Sequence, residues 1–433
     1  MNLTSEYGER AHRLIPGGAH TYSRGDDQFP IGAPSVLAKG EGAYVWDLDG
    51  NKYLDYGMGL RAVTLGYGYK SIADAAIAQI LMGNGLTRAS KVEIDAAQIM
   101  VDLIEGADMI KFAKNGSTVT SAAVKLARAY TGKKYVARCA EHPFFSYDDW
   151  FIGNTIIDAG IPDEGKNLTL QFKFNDITSL KMLFEKYDRE ISCVILEPAT
   201  AVEPQNNFLH EVQNLCEQYN AVFILDEMIT GFRWHLNGAQ KYYGIIPDLC
   251  TFGKGMANGF SVSALMGKKE IMELGGILHE KERVFLISTT HGAEMSGLGA
   301  LIETIDVYKK LNVIGHLWEY GKMLMDGINN IAREFGIEEY FYFEGAAPSP
   351  SFVCKDGQKN TSYAFRTLFA QEMLKNNILM PWVALSYSHR DIELEQTLEA
   401  AYKSLKIYRE ALNKGIDTFL EGRAIKPVFR RYN

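Results

Sequence analysis

The sequence predicts an α/β fold built on a mostly parallel sheet covered by helices on both faces. Three observations predict it. From about residue 109 short apolar runs alternate with helical patterns: Met109–Phe112, Tyr135–Arg138, Cys193–Leu196, Ala221–Leu225 and Leu249–Phe252 are the strand candidates. The run Ala221–Leu225 is apolar throughout, as a strand buried on both faces is. Finally, Ala221-Val222-Phe223-Ile224-Leu225 stops abruptly at Asp226-Glu227, and Leu249-Cys250-Thr251-Phe252 stops at Gly253-Lys254-Gly255. Two strands thus each deliver one ionisable group at the carboxyl end, where open α/β sheets bind ligands.

The elements can be justified in order. Residues 5–15 have the pattern of an amphipathic helix, ended by Pro16-Gly17-Gly18. Ala43–Trp46 and Tyr53–Tyr56 read as two strands joined by the turn Asp47-Leu48-Asp49-Gly50-Asn51. That turn faintly resembles a calcium loop, but its twelfth position is Met58 rather than a glutamate, which argues against calcium. Residues 71–105 read as helix with breaks, one at Gly83-Asn84-Gly85. Residues 118–131 place Val119, Ala122, Ala123, Leu126, Ala127 and Tyr130 on one helical face, and Gly132 stops them. A long helix is expected from Gly292 to about 310. Residues 318–415 suggest helices with a small mixed sheet. Ser388–Leu412 reads as the final helix, with Ser388 and Asp391 placed like a capping box and Gly415 at its end. The aromatic residues of the tail 424–433 suggest that it packs on something.

Composition narrows the function. The chain has 433 residues, enough for two or three domains, and its 47% hydrophobic and 23% charged residues are an ordinary soluble globular balance. A net charge of -8 without long acidic runs argues against nucleic acid or an anionic membrane as partner. The polar start of the chain does not read as a signal peptide, and no apolar run is long enough to span a bilayer. Five scattered cysteines fit a reducing cytoplasm. With no H-E-x-x-H and no C-x-x-C, no metal is expected.

The two ionisable strand ends suit one chemistry in particular. A lysine can form a Schiff base with pyridoxal phosphate while a carboxylate holds the pyridine nitrogen protonated. The same residues also suit a loop cap and a solvated charge. A phosphate cup is available at Asn115-Gly116-Ser117-Thr118, where a helix begins after a strand and offers free N–H groups and two hydroxyls. An ordinary helix cap would look the same.

Asp226-Glu227-Met228-Ile229-Thr230-Gly231-Phe232-Arg233, followed by Pro247-Asp248-Leu249 and Gly253-Lys254, resembles class III pyridoxal-phosphate aminotransferases, in the branch of glutamate-1-semialdehyde 2,1-aminomutase. Leu14–Gly18, Gly42-Ala43-Tyr44, Asp49-Gly50, Leu126-Ala127-Arg128 and Leu196-Glu197-Pro198 extend the resemblance over roughly residues 5–412. It implies fold type I, with a large domain on a mostly parallel central sheet and a smaller α+β domain built from both termini. The expected boundaries are 1–60 and 318–415 for the small domain, 61–317 for the large one, and 416–433 for a tail. It also implies a homodimer with shared active sites. By position, Lys254 would carry the Schiff base and move the substrate proton, and Asp226 would pair with the pyridine nitrogen. Gly116, Ser117 and Thr118 would hold the phosphate, joined by Thr289 from the neighbouring subunit. Glu197 would lie near the cofactor hydroxyl. Met228 would stand where the family has a valine against the ring, a position that plain core packing explains equally well.

Departures from the family bear on substrate. His142, in Glu141-His142-Pro143-Phe144-Phe145, takes the place of an aromatic that stacks on the ring; Phe144 or Phe145 is the alternative cover. Gly59-Leu60-Arg61 replaces the aminomutase Ser-Trp-Gly, removing an indole and adding a charge. Gly292-Ala293-Glu294 replaces Gly-Asn-Pro, so Glu294 is a candidate for binding an amine or sugar hydroxyls, or an ordinary acid at a helix N-terminus. Arg24 matches the arginine that holds the aminomutase substrate's carboxylate. The tail lies beyond the usual end of the aminomutase and resembles tails of relatives linked to surface carbohydrates.

The expectation is therefore an aminotransferase that moves an amino group from an amino-acid donor to an aldehyde or ketone acceptor, sugar-like or carboxylate-bearing. The alternatives are an aminomutase making 5-aminolevulinate and a non-catalytic regulator on the same fold. A dinucleotide oxidoreductase ranks below these, because no G-x-G-x-x-G follows an early strand.

Overall fold

The computed structural model describes residues 2–432. In chain order the strands are β1 (Leu37–Glu41), β2 (Tyr44–Asp47) and β3 (Lys52–Asp55), then β4 (Met109–Ala113), β5 (Tyr135–Cys139) and β6 (Thr169–Phe172). β7 (Ile191–Leu196), β8 (Val222–Asp226), β9 (Leu249–Phe252) and β10 (Ser263–Gly267) follow, and β11 (Phe341–Glu344), β12 (Ser351–Cys354) and β13 (Ile378–Leu379) complete them. The chain forms two compact units, Met1–Tyr69 with Gly315–Arg430, and Lys70–Ile314 with Arg431–Asn433.

The unit Lys70–Ile314 is organised by a seven-stranded sheet of order β4-β10-β9-β8-β7-β5-β6. β6, β5, β7, β8 and β9 run parallel, and β10 is antiparallel to both of its neighbours. β7, β8, β9 and β10 are buried at every position, which is why their sequences are mostly apolar, broken only by the polar residues Ser192, Asp226, Thr251 and Ser263. The helix Gly116–Thr131 packs on the sheet with Val119, Ala122, Ala123, Leu126 and Ala127 buried, and ends at Gly132 in the left-handed conformation (φ 68°). The expected long helix spans Met295–Leu311. It lies against the helix Lys70–Leu81 closely enough that a Cβ at Gly299 would stand 3.0 Å from the Ala75 carbonyl.

The unit Met1–Tyr69 with Gly315–Arg430 has its own core. Leu317, Tyr320, Leu324, Ile328 and Ala332 form the buried stripe of the helix Val313–Glu334, with the spacing of an amphipathic helix. The Tyr56 hydroxyl bonds those of Tyr320 and Thr397 at 2.8 Å each, tying the end of β3 to two helices. β1, β2 and β3 form an antiparallel meander that β13 joins in parallel, while β11 and β12 form a separate pair. The strands expected in 318–415 are therefore shared between two sheets, one begun near the N-terminus. The final helix is Asp391–Lys414, and at its start the Arg390 N–H donates to the Glu393 carboxylate at 2.9 Å, in place of the box expected from Ser388 and Asp391. The Ser388 hydroxyl instead donates to the Leu65 carbonyl at 2.7 Å. The tail packs mainly through polar groups, and Tyr432 remains 80% exposed. All five cysteines are buried free thiols. No helix among the described residues is long and apolar enough to cross a membrane.

Candidate functional site

The carboxyl edge of the seven-stranded sheet gathers most of the sequence-predicted residues. Lys254 follows β9, Asp226 ends β8, Glu197 follows β7 and His142 follows β5, and these four strands are consecutive in the sheet. With strands about 4.8 Å apart, the row spans on the order of 15 Å. The helix Gly116–Thr131 starts at the same edge, because β4 also runs parallel to β9 across β10.

Asp226 is 2% exposed. Its Oδ1 accepts from the Met228 N–H at 3.0 Å and from the Thr251 hydroxyl at 2.9 Å. Burial pushes its carboxyl up to about 6, against the opposing pull of the Lys254 charge and of those two donors. Lys254 opens a short 3₁₀ turn, Lys254–Ala257, with its backbone at φ 37°. A non-glycine residue in that region is strained and must be held there by its surroundings. The next three residues are buried, and the Tyr308 hydroxyl donates to the Gly255 carbonyl at 2.5 Å.

Met228 fits between two glycines. A Cβ on Gly116 would stand 2.9 Å from the Met228 sulfur, and one on Gly253 would stand 2.6 Å from it. The glycine beside the lysine and the one at the helix start therefore leave room for one side chain. At the helix start Asn115 is the N-cap, and its Oδ1 accepts from both the N–H (3.0 Å) and the hydroxyl (3.1 Å) of Thr118. The hydroxyl proton of Thr118 is thus committed internally. Ser117 Oγ accepts from the Tyr147 N–H at 3.1 Å and still has its own proton to donate. The first N–H groups of this helix have no helical acceptor.

His142 is 1% exposed, between the rings of Phe145 (6.1 Å) and Phe174 (5.0 Å). Its Nδ1 accepts from the Glu197 N–H at 2.9 Å, and burial lowers its pKa to about 4. The ring is therefore neutral with its proton on Nε2. Phe145 is buried too, whereas Phe144 is 47% exposed. Thr289 is exposed, in the extended segment preceding Gly292. Glu294 is turned to its own unit. Its Oε2 accepts from Lys114 at 2.7 Å, and its Oε1 from Asn84 (3.0 Å) and Ser296 (2.8 Å). These bonds, Lys114 first, hold its carboxyl down at about 2.

Arg24 and Arg61 belong to the other unit. Arg24 ends the turn Tyr22–Arg24 and is exposed. Arg61 ends a left-handed turn in which Met58, Gly59, Leu60 and Arg61 have φ of 40°, 58°, 64° and 67°. Sequence reasoning missed Thr251 and Lys114 as supports of the site. A threonine in the otherwise apolar β9, three residues before the lysine, was the one available signal.

Comparison with known proteins gives the family. Residues 22–339 match the family model for class-III aminotransferases. The chain is 31% identical over 414 residues to a 3-aminobutyryl-CoA aminotransferase of Cloacimonas acidaminovorans, covering 93% of this chain and 97% of the relative. It is 30% identical over 435 residues to a glutamate-1-semialdehyde 2,1-aminomutase of Sulfurihydrogenibium azorense, covering 94% of this chain and all of the relative (100%). Among solved structures, the FumI protein of Sphingopyxis sp. MTA144 in its PLP internal aldimine form superposes with a TM-score of 0.86 at 26% identity, over 95% of this chain and 97% of that one. The chain thus belongs to the class-III aminotransferases, pyridoxal-phosphate-dependent enzymes of fold type I.

Proposed function

We propose that the protein is an aminotransferase that moves an amino group from an amino-acid donor to an aldehyde or ketone acceptor. The observation that carries the reading is the placement of Lys254 and Asp226 on adjacent strand ends, beside a helix N-terminus. In this reading Lys70–Ile314 is the large, cofactor-binding domain and the other unit is the small domain.

The residues present fit pyridoxal phosphate. A fully buried acid suits a cationic ring nitrogen, whose charge would replace the solvation that Asp226 has lost. The Ser117 hydroxyl and the free N–H groups at Gly116 and Ser117 suit the phosphate, and Thr118 joins them if its hydroxyl leaves Asn115. Met228, fixed by Gly116 and Gly253, offers a flat apolar contact for the ring. Glu197 and His142 would line the far side of the row. When bound, the group supplies an aldehyde that condenses with amines and a ring that takes up the electron pair left at a substrate carbon.

The chain's own residues do the rest. Lys254 Nζ would hold the aldehyde and, when free, would carry the proton to and from the substrate carbon. Asp226, oriented by Thr251 and the Met228 N–H, would keep the ring nitrogen protonated. Arg24 and Arg61 are the proposed substrate residues of the small domain, where a planar guanidinium suits a carboxylate. For Glu294 the internal bonds favour a structural role over a substrate one.

We also propose a homodimer and a cytoplasmic location. Ile277, Leu278 and Phe285 are 76%, 86% and 73% exposed in the segment that leads to Thr289, which suits a surface covered by a second copy. A second reading, the aminomutase, is favoured by Arg24 and by the 30% identity to an aminomutase along nearly the whole chain. The test is a screen of amino donors against the holoenzyme, following the cofactor's visible absorbance as the amino group is taken up. Conversion by at least one donor, and its reversal by a keto acid or aldehyde, supports transfer. Rapid 5-aminolevulinate formation from glutamate-1-semialdehyde alone would replace it with the second reading.

A further inference from the structure

The first two turns of the helix Gly116–Thr131 carry three hydroxyls at the spacing of one helical face: Ser117, Thr120 and Ser121. All three bond the loop Phe145–Trp150, which follows β5. The Thr120 hydroxyl donates to the Phe145 carbonyl at 2.7 Å. The hydroxyls of Ser121 and Ser146 lie 2.9 Å apart, and the Trp150 indole N–H donates to Ser121 Oγ at 2.8 Å. Ser146 Oγ also accepts from the Asp148 N–H at 3.0 Å. Thr120 and Ser146 are fully buried, so a bond broken there is not replaced by one to water.

Tyr147 sits in the middle of this cluster. The residue is 59% exposed, but its N–H turns inward and donates to Ser117 Oγ at 3.1 Å. Ser117 is 4% exposed. A hydroxyl has one proton and two lone pairs. With Tyr147 on one lone pair, the proton of Ser117 is left to donate. The Thr118 hydroxyl proton is held by Asn115 Oδ1 at 3.1 Å. Of the two hydroxyls at the helix start, Ser117 is therefore the one set to donate to an anion.

Bonds made through one hydroxyl reinforce each other. An O–H that donates to an anion becomes a stronger acceptor, and a hydroxyl that accepts becomes a stronger donor. By thermodynamic linkage the effect is reciprocal: whatever the anion adds to the loop, the ordered loop adds to the anion.

We propose that the loop Phe145–Trp150 is a positioning element for the phosphate-binding helix start. Thr120, Ser121, Ser146 and Trp150 hold the Tyr147 N–H on Ser117, which commits the Ser117 proton to a phosphate group, and a bound phosphate in turn tightens the loop. This rests on the assignment of pyridoxal phosphate to that helix start and goes beyond it, because residues of a separate loop share in holding the anion. They are positioning residues, acting through Ser117.

The test is hydrogen exchange by mass spectrometry over residues 145–151 of the full-length, cofactor-free protein. Exchange is compared without ligand, with saturating inorganic phosphate, and with pyridoxal as the probe that lacks the phosphate. Inorganic phosphate is expected to slow exchange of the segment about fivefold, and pyridoxal less than about twofold. The helix Ile177–Lys186 is the control and should not respond. Trp150→Phe keeps a ring beside Phe145 and removes the indole donor. It is expected to weaken inorganic phosphate about threefold in calorimetry and to shrink the slowing. A contact that merely braced the loop would instead raise exchange by the same factor with and without phosphate. Ser117→Ala is expected to abolish the slowing even at saturating phosphate. An equal response to phosphate and pyridoxal, a slowing that survives in Ser117→Ala, or an unchanged phosphate affinity in Trp150→Phe would each overturn the proposal. Exchange that ignores phosphate in an enzyme that transfers amino groups sinks only this inference. Phosphate-dependent exchange in a protein that transfers none sinks only the proposed reaction.

Discussion

Asp226 and Thr251 are register partners across β8 and β9, and the Thr251 hydroxyl donates to Asp226 Oδ1 at 2.9 Å. That bond is worth more to a charged carboxylate than to a neutral one, so Thr251 holds down a pKa that burial raises. Thr251→Val keeps the shape of the side chain and removes the donor. It is expected to weaken cofactor binding about tenfold, measured by equilibrium titration of the cofactor-free protein. Unchanged affinity would mean that Asp226 does not act on the cofactor as an anion.

The contact of Met228 with two glycines predicts a rescue. Gly253 has extended backbone (φ −175°), so alanine is tolerated there by conformation and opposed only by the Met228 sulfur, 2.6 Å from the new Cβ. Gly253→Ala should cost about 1–3 kcal/mol and lower cofactor occupancy. Adding Met228→Ala should restore most of the stability. A double mutant no better than Gly253→Ala in chemical denaturation would show that the clash lies elsewhere.

Glu227 gives a pH dependence with a definite sign. It is fully buried and accepts from the N–H groups of Gln240 (2.9 Å) and Ala239 (2.5 Å) and from the Thr230 hydroxyl (3.2 Å). Burial nevertheless raises its carboxyl from 4.5 to about 7. The folded protein therefore binds the proton more tightly than the unfolded chain. Its stabilising share is complete below pH 4.5 and is lost as the pH rises through about 7. A displacement of that size is worth about 3 kcal/mol. Urea denaturation of the cofactor-free protein between pH 4.5 and 8 should show stability falling, and Glu227→Gln should flatten the slope. Parallel profiles would contradict it.

Glu294 shows the opposite sign. Lys114, Asn84 and Ser296 hold it at about 2, so its contribution is present above its ordinary value of 4.5 and is lost as the pH falls toward 2. Glu294→Gln should lower the melting temperature by a few degrees while changing the KM for the amino acceptor less than twofold. A large KM change with unaltered stability would return Glu294 to the substrate.

The sheet was legible because burial on both faces writes itself into composition. β8, β9 and the helix after β4 lie within a residue or two of where the apolar runs put them, and the class-III family that their motifs resemble is the family the chain belongs to. β10 was not legible. Ser-Ala-Leu-Met-Gly has no β-branched residue, and its place between β4 and β9 follows from long-range pairing rather than from local preference. The cap of the last helix was misplaced because Ser388 is drawn away to the Leu65 carbonyl, a partner 323 residues distant. The tail's grip on Asp26, Asp27 and Gln28 was hidden for the same reason, since backbone groups and arginines make those contacts. Glu294 read as either a substrate ligand or an ordinary helix N-terminal acid because nothing in its own segment announces Lys114 or Asn84.

The central claim is that Lys254, on its strained turn beside Asp226, is the cofactor's covalent anchor. The most direct measurement is borohydride reduction of the purified holoprotein followed by peptide mass mapping. The account predicts a phosphopyridoxyl adduct on the peptide containing Lys254 and on no other. An adduct on a different lysine, or a holoprotein whose cofactor washes away without any adduct, would contradict it.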